Sequence, residues 1–336
     1  MILSRRALLP VLAAIPFTRR TPPEIVPHPK KTRILLGGDV MLSRHVARIA
    51  REHNDPAWPM RDLAPVFRSA DIAFVNLEAP FSDRGHLMEH GMIFKAEPEM
   101  IAALDTAGVT LVSTANNHTR DCGSYGVEFT LSWLNQHGIA TVGSAPTAEA
   151  AHAGTVIERN GLGFGFLAYT FDQSNGNHKD IDDRIATMDV AAMRSDVKDL
   201  LENRADVAIV SMHAGTEYQP RPNSQQIEFA HAALDAGARV VVGHHPHVTQ
   251  PWERLANGVI FYSLGNLVFD QFQRTETQHG ALAEVVFSGK TLESAALLPV
   301  DLVKTVPRLS STLVAGSGKD GAARDASSAS RPVPNR

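Results

Sequence analysis

Five short apolar runs in this chain each end on a side chain that can bind metal, and that repetition constrains the fold more than any single motif. Ile34-Leu35-Leu36-Gly37-Gly38 runs into Asp39, and Ile72-Ala73-Phe74-Val75 runs into Asn76-Leu77-Glu78. Val109-Thr110-Leu111-Val112-Ser113 leads through Thr114-Ala115 to Asn116-Asn117-His118. Val207-Ala208-Ile209-Val210 leads to His213, and Val240-Val241-Val242-Gly243 leads to His244-His245-Pro246-His247. Runs of this kind read as buried strands. In an open α/β sheet the carboxyl ends of the strands are where sites form.

Between these runs the periodicity predicts helices over about 44–52, 97–107, 124–137, 190–204 and 224–236. In the third, Val127, Leu131 and Leu134 recur at i, i+4 and i+7 to make one apolar face, and Gly138 is placed to end it. Strand–helix–strand repetition implies a largely parallel sheet. The last third differs: Val259–Leu264, Ala281–Phe287 and Leu292–Val300 read as strands without long helices between them. Asn160-Gly161, between Thr155–Glu158 and Phe164–Tyr169, is a hairpin signal. Mixed sheets completing a sandwich are therefore expected, with a folded domain over 31–306. The Ser/Ala/Gly/Pro/Arg-rich residues 307–336 are expected to form a disordered tail. A long polar stretch, Phe171 to Arg184, reads either as a lid or as a plain surface loop.

Composition narrows the chemistry. The one cysteine, Cys122, excludes an intrachain disulfide and a cysteine zinc site, so any metal must sit on His, Asp, Glu and Asn. A net charge of −4 without a lysine/arginine run gives no support for a nucleic-acid partner. At the N-terminus, Ser4-Arg5-Arg6 precedes an apolar run from Ala7 to Phe17. That run is far shorter than the roughly 20 residues of a membrane-spanning helix. It has the length of a signal-peptide core and resembles a twin-arginine export signal. Residues 1–30 thus read as a leader or membrane tether with a proline-rich linker, and the protein as exported, periplasmic or envelope-associated. The competing reading is a basic extension on a cytoplasmic protein.

Each candidate ligand has a plainer reading. Asp39, after two glycines that permit close approach, could bind a cation or cap a following helix. Glu78 could be a ligand or a surface charge. Asn117-His118 could be an amide ligand beside a protonating histidine, or a turn. His213 alone would be structural, but four companion strand ends favour a ligand. If residues 244–247 are extended, His245 and His247 point one way and His244 the other. The first two then read as ligands, with His244 next. The remaining histidines lack such context.

These residues, in this order, resemble the CapA capsule-synthesis family, the poly-γ-glutamate biosynthesis proteins. The matching segments are Gly38–Leu42, Asn76–Glu78, Ala115–His118 with Asp121 and Gly123, His213–Gly215 with Glu217 and Tyr218, Gly243–Val248, and Ser263–Gln271. The family is similar to calcineurin-like metallophosphatases, which implies an α/β fold: a metallophosphatase-like two-sheet β-sandwich with mixed sheets flanked by α-helices. The resemblance implies that Asp39, Glu78, Asn117, His213, His245 and His247 hold one or two divalent metal ions, of which Mn, Fe and Zn suit the ligand types. His118 would protonate a leaving group. Three departures stand out: Met41 occupies the place of a histidine ligand, Glu78 that of a bridging aspartate, and Ala214 that of a tryptophan common in the family, which would widen the pocket.

The resemblance implies a metal-dependent hydrolase acting on a phosphoester or a γ-glutamyl amide, with His244, Glu217, Tyr218 and Arg221 against substrate. The competing expectation is a non-catalytic accessory whose metal site binds polymer carboxylates for export or anchoring. An amidohydrolase barrel is disfavoured because no His-x-His follows the first strand. The implied partners are an anionic polymer such as poly-γ-glutamate or a small phosphoester, together with membrane-bound capsule synthesis proteins.

Overall fold

The computed structural model describes residues 30–85, 88, 91–173, 175 and 181–311. The expected leader up to residue 29, the chain beyond 311, His86, His90 and, within the polar stretch after Phe171, residues 174 and 176–180 with His178 among them lie outside these residues. In chain order the first half runs β1 (Lys31–Val40), α1 (Arg44–Glu52), α2 (Ala64–Arg68), β2 (Ile72–Leu77), α3 (Ile101–Ala107), β3 (Leu111–Ser113), α4 (Gly123–Gln136) and β4 (Ala140–Val142). It continues through α5 (Ala148–Ala153), β5 (Thr155–Arg159), β6 (Leu162–Thr170), α6 (Val190–Asn203), β7 (Val207–His213), α7 (Ser224–Ala236) and β8 (Val240–His244). The last part is all strand apart from a 3-10 turn: β9 (Trp252–Leu255), β10 (Gly258–Phe261), β11 (Asn266–Val268), β12 (His279–Ser288), β13 (Thr291–Val303) and β14 (Val306–Leu309). Ordered structure thus continues a few residues past 306, the boundary expected from composition.

Two mixed sheets result. The first has the order β14-β13-β12-β1-β2-β3-β4, with β11 pairing alongside β1; the second has the order β5-β6-β7-β8-β10-β9. β1 to β4 are parallel, as are β6, β7, β8 and β10; the flanking strands are antiparallel. The period of two explains the layers. Ile34, Leu36, Ile72 and Phe74 face Phe166, Ile209, Val240 and Val242 between the sheets. Leu35, Ala73 and Val75 face outward into a second core with α1, α2 and α3. Ala208, Val210 and Val241 face outward beneath α6 and α7. Strands covered on both faces need continuous apolar sequence, which is why the five runs carry no polar alternation. The inter-sheet core is aromatic at its centre, with Phe74 stacked on Phe166 at 5.8 Å. Burying one such side chain contributes about 1.5–3 kcal/mol.

Local chemistry sets the ends. The predicted hairpin is present: β5 and β6 pair antiparallel around Asn160 (φ 54) and Gly161 (φ 84), both left-handed as a tight hairpin turn requires. α7 opens with a capping box in which Asn223 and Gln226 satisfy each other's backbone N–H. Gly38 marks a close approach, since a Cβ there would sit 2.0 Å from the Gly265 carbonyl oxygen. That contact lets β11 lie against the end of β1. Among the described residues no helix is long and apolar enough to cross a membrane.

Candidate metal centre

The parallel strands of both sheets end at one edge, and the registers bring the polar residues level. Asp39 pairs with Asn76 across β1 and β2 and with Asn266 across β1 and β11. Asn76 pairs with Ser113 at the end of β3, and His213 with His244 across β7 and β8. All five runs therefore deliver their terminal residues to the same place. Asp39, Glu78, Asn76, His213 and His244 are buried almost completely, and Asn117, His118, His245 and His247 nearly so.

Asp39 is the hub. Its Oδ1 accepts from Asn76 Nδ2 at 2.8 Å, and its Oδ2 accepts from the His245 backbone N–H at 3.3 Å. His244 Nδ1 lies 3.5 Å from Oδ1, and His247 Nδ1 lies 3.5 Å from Oδ2. Asp39 does not cap α1, whose N-cap position is Ser43. Burial alone would raise its pKa, but the neighbouring His244 and His247 outweigh burial and hold the carboxyl well below its usual range. Glu78 behaves oppositely: burial, then the neighbouring Asp39 charge, push its pKa well up.

The histidines are desolvated too. Burial, then the neighbouring His245, push the His213 pKa well down, and burial and His247 push His245 down to about 3. His213 Nε2 is 2.8 Å from Asn117 Oδ1, so that amide and imidazole converge on one point. His118 Nδ1 donates to Asp121 Oδ2 at 2.7 Å, and its ring is stacked on Phe94 at 3.9 Å. Its other nitrogen lies 3.9 Å from Glu78 Oε1. Asp121 also accepts from the Phe94 backbone N–H at 2.6 Å, which locks the pair in place.

The 245–247 segment differs from the extended form expected. β8 stops at His244, and the next residues turn with His245 at φ 95 and His247 at φ 59. Left-handed backbone at non-glycine residues costs about 1–3 kcal/mol each and persists where surrounding structure imposes it. Here the turn aims the His245 N–H at Asp39 and swings both rings inward, 6.0 Å apart. The two histidines do meet, because of the turn and not the pleat. His244, expected against substrate, ends β8 in the interior, fully buried beside Asp39 and Phe74.

Two amides organise the imidazoles. Asn266 Nδ2 donates to the Thr277 carbonyl at 3.0 Å, which fixes its Oδ1 toward His247 Nδ1 at 3.0 Å. That nitrogen therefore carries the proton, and Nε2, 3.6 Å from Glu78 Oε1, presents its lone pair to the cluster. Asn76, fixed by Asn116 Nδ2 donating to its Oδ1 at 3.3 Å, lies 3.2 Å from His213 Nδ1. Neither amide stood out in the sequence as a site residue. A polar residue interrupting an apolar run, as both do, is the signal that would have found them.

Among the described residues, Asp39, Glu78 and His247 bring ligand atoms within 4.8 Å of one another. Both Glu78 oxygens, both His244 nitrogens and His245 Nδ1 are buried without a hydrogen-bond partner. Each unmet buried group costs about 1–3 kcal/mol, more if charged. A divalent cation held by Asp39, Glu78 and His247 would satisfy the Glu78 oxygens, so the donor set fits a metal. Met41 makes no claim on that role, since its sulfur accepts from the Ser43 hydroxyl at 3.0 Å. At the rim, Tyr218 is half-buried, with its ring 6.3 Å from the His247 ring. Burial, then Glu217, push its pKa up to about 12. Glu217 and Arg221 are exposed, and no hydrogen bond or ion pair ties Arg221 to the cluster among the described residues.

Comparison with known proteins adds the following. A family model described as bacterial capsule synthesis protein PGA_cap matches residues 33–271. The capsule biosynthesis protein CapA of Bacillus anthracis is 29% identical over 294 residues, covering 83% of this chain and 69% of its own. The PGA biosynthesis protein CapA of Bacillus subtilis (strain 168) is 29% identical over 277 residues, covering 80% and 71%. A probable polyglutamine synthesis accessory protein of Mycobacterium tuberculosis is 26% identical over 292 residues, covering 72% and 76%. Among solved structures, the calcineurin-like phosphoesterase YfkN of Bacillus subtilis superposes with a TM-score of 0.45 at 12% identity, over 84% of this chain and 89% of that one. The 5'-nucleotidase precursor of Thermus thermophilus gives 0.47 at 13% identity, over 83% of this chain and 54% of its own.

Proposed function

The chain belongs to the bacterial capsule synthesis family, and from that premise we propose that it is an exported, metal-dependent hydrolase acting on an anionic envelope polymer such as poly-γ-glutamate. The observation that carries this reading is Glu78: a carboxylate fully buried, with both oxygens unpartnered, facing His247 and His118. Nothing in the protein's own packing rewards that placement, whereas a cation between Asp39, Glu78 and His247 does. Asn117, His213 and His245 form the natural ligands of a second cation beside it.

Asp39, Glu78 and His247 would hold a Mn, Fe or Zn ion, which would supply Lewis acidity and a water of lowered pKa, toward roughly 7. The residues do the rest. Asp39 and Glu78 provide negative charge where cation affinity is needed. Asn266 fixes the His247 tautomer. Asp121 holds the His118 Nδ1 proton, which leaves Nε2 to carry a proton to the departing group. Phe94 covers one face of that ring and keeps water from it. The scissile bond is a γ-glutamyl amide or a phosphoester. Export rests on the Arg5-Arg6 leader read from the sequence.

A second reading is supported by the mycobacterial relative, which carries the name of an accessory protein. In it the same centre binds polymer carboxylates and cuts nothing. One experiment separates the two. The chelator-free protein is analysed for metal and assayed on γ-linked glutamate polymers and a phosphodiester panel, with His118→Ala alongside. Metal with turnover that His118→Ala abolishes establishes the hydrolase. Metal and polymer binding without turnover establishes the accessory. No metal uptake from Mn, Fe or Zn overturns both.

A further inference from the structure

We propose that Arg274, stacked on Tyr218 at the rim of the centre, is the residue that selects an anionic substrate by gripping a carboxylate or phosphate oxyanion. This deepens the reading above, on which it relies for where the substrate lies. The guanidinium carbon of Arg274 sits 4.7 Å from the centre of the Tyr218 ring. Three other arginines are spent on carboxylates: Arg44 on Asp270, Arg184 on Asp182 and Arg33 on Glu284. Arg274 is exposed, and its guanidinium makes no ion pair with any carboxylate among the described residues, including Glu217 beside the same tyrosine. A guanidinium held over a ring face has N–H edges to offer, and those edges match an oxyanion two bonds at a time.

The platform beneath it is registered to the cluster. His247 Nδ1 donates to Asn266 Oδ1 at 3.0 Å, and Asn266 Nδ2 donates to Gln271 Oε1 at 3.1 Å. Gln271 Nε2 in turn donates to the Tyr218 hydroxyl at 3.3 Å. The Tyr218 backbone, left-handed at φ 64, donates its N–H to the Pro246 carbonyl at 2.9 Å, between the two site histidines. Arg274 itself is held at its carbonyl, which accepts from Thr277 Oγ1 at 2.9 Å. A candidate metal ligand, an aromatic platform and a cation with no ion pair among the described residues therefore form one connected unit.

A fixed cation one ring away from His247 adds to the attraction of a metal-loaded centre for an anion and holds the charged group in a defined place.

The test is equilibrium binding to the full-length, Mn-supplemented protein. The probes are a fluorescent γ-linked glutamate decamer, its neutral γ-linked glutamine counterpart, and inorganic phosphate. Arg274→Gln is expected to weaken binding of the decamer or of phosphate by roughly tenfold to a hundredfold, the worth of a charge-assisted bond. It should leave the neutral oligomer and the metal content unchanged. Arg274→Lys should recover part of the loss, and Arg254→Gln, on the outer strand β9, should change nothing. Loss confined to the decamer assigns a carboxylate; loss confined to phosphate assigns a phosphate oxyanion. The proposal is overturned if Arg274→Gln binds both anions as the wild type does, if it weakens charged and neutral oligomers alike, or if the wild type binds neither anion. Metal content, read separately, tells failure of the centre from failure of Arg274.

Discussion

Arg33 and Glu78 stand at opposite ends of the same two strands, and their surroundings differ in kind. Arg33, near the start of β1, donates from Nε to Glu284 at 2.6 Å, and its backbone N–H donates to the Asp71 carboxylate at 2.8 Å. At that same end Lys31 pairs with Glu293 at 2.7 Å, and Lys290 pairs with Asp206 at 2.7 Å. Each of these charges has a partner and access to water. Glu78, just past the end of β2, has neither. Exposed pairs of the first sort contribute about 0–1 kcal/mol. An unpaired buried carboxylate costs more than that, and a bound cation would offset the cost. Burial combined with missing partners, rather than charge itself, marks the functional edge.

The largest effect that could break this contrast is kinetic. His118→Ala should lower turnover by roughly 10²–10⁴-fold, the usual worth of a positioned proton donor. Metal content by elemental analysis should not change. Turnover that survives the substitution removes His118 from the chemistry. Next comes the cation itself. Saturating Mn at about 100 times its Kd should add about 2.7 kcal/mol to stability. For a domain of this size that is a rise in Tm of roughly 4–5 °C. Glu78→Gln should abolish the rise while leaving the metal-free Tm within a few degrees, since the side chain it replaces had no hydrogen bond to lose. A full metal-induced rise in Glu78→Gln would mean the cation sits elsewhere.

How much of this was legible in the chain depends on what kind of force set each feature. The two-faced strands could be read because burial on both faces leaves an uninterrupted apolar run, and the Asn160-Gly161 hairpin could be read because only such residues tolerate its backbone. The strand-end ligands followed from those runs. The orientation of His245 and His247 could not be read, because left-handed backbone at both positions replaces the pleat that the alternation argument assumes. β4 and β11, three residues each, form only because neighbouring strands offer them partners. Asn266 and Arg274 gain their meaning from residues far away in sequence, and no local pattern encodes that.

A smaller effect sharpens the contrast through the backbone. Gly38→Ala places a methyl 2.0 Å from the Gly265 carbonyl oxygen, against backbone that has no rotamer to yield. Prising β11 from β1 should cost about 1–3 kcal/mol. Because Asp39 and Asn266 face each other across that pairing, metal affinity should fall with it. Gly85→Ala, where nothing lies within 4 Å, is the matched control and should be neutral in thermal melts. Equal losses in the two variants would show that the close approach is not a constraint.

The smallest effect belongs to the opposite end. Lys290 donates to Asp206, and that hydrogen bond, followed by the Gly163 N–H at 2.9 Å, holds the Asp206 carboxyl below its usual pKa. A depressed carboxyl contributes stability that is complete above its unfolded value, about 3.9, and is lost as pH falls through the folded value. Lys290→Ala should therefore cost less than about 1 kcal/mol near neutral pH. Its melting curve should converge with that of the wild type in acid, and the gap should shrink in high salt because the pair is exposed. Mn affinity should match the wild type throughout. A change in Mn affinity would couple the two ends of the sandwich and break the division between them.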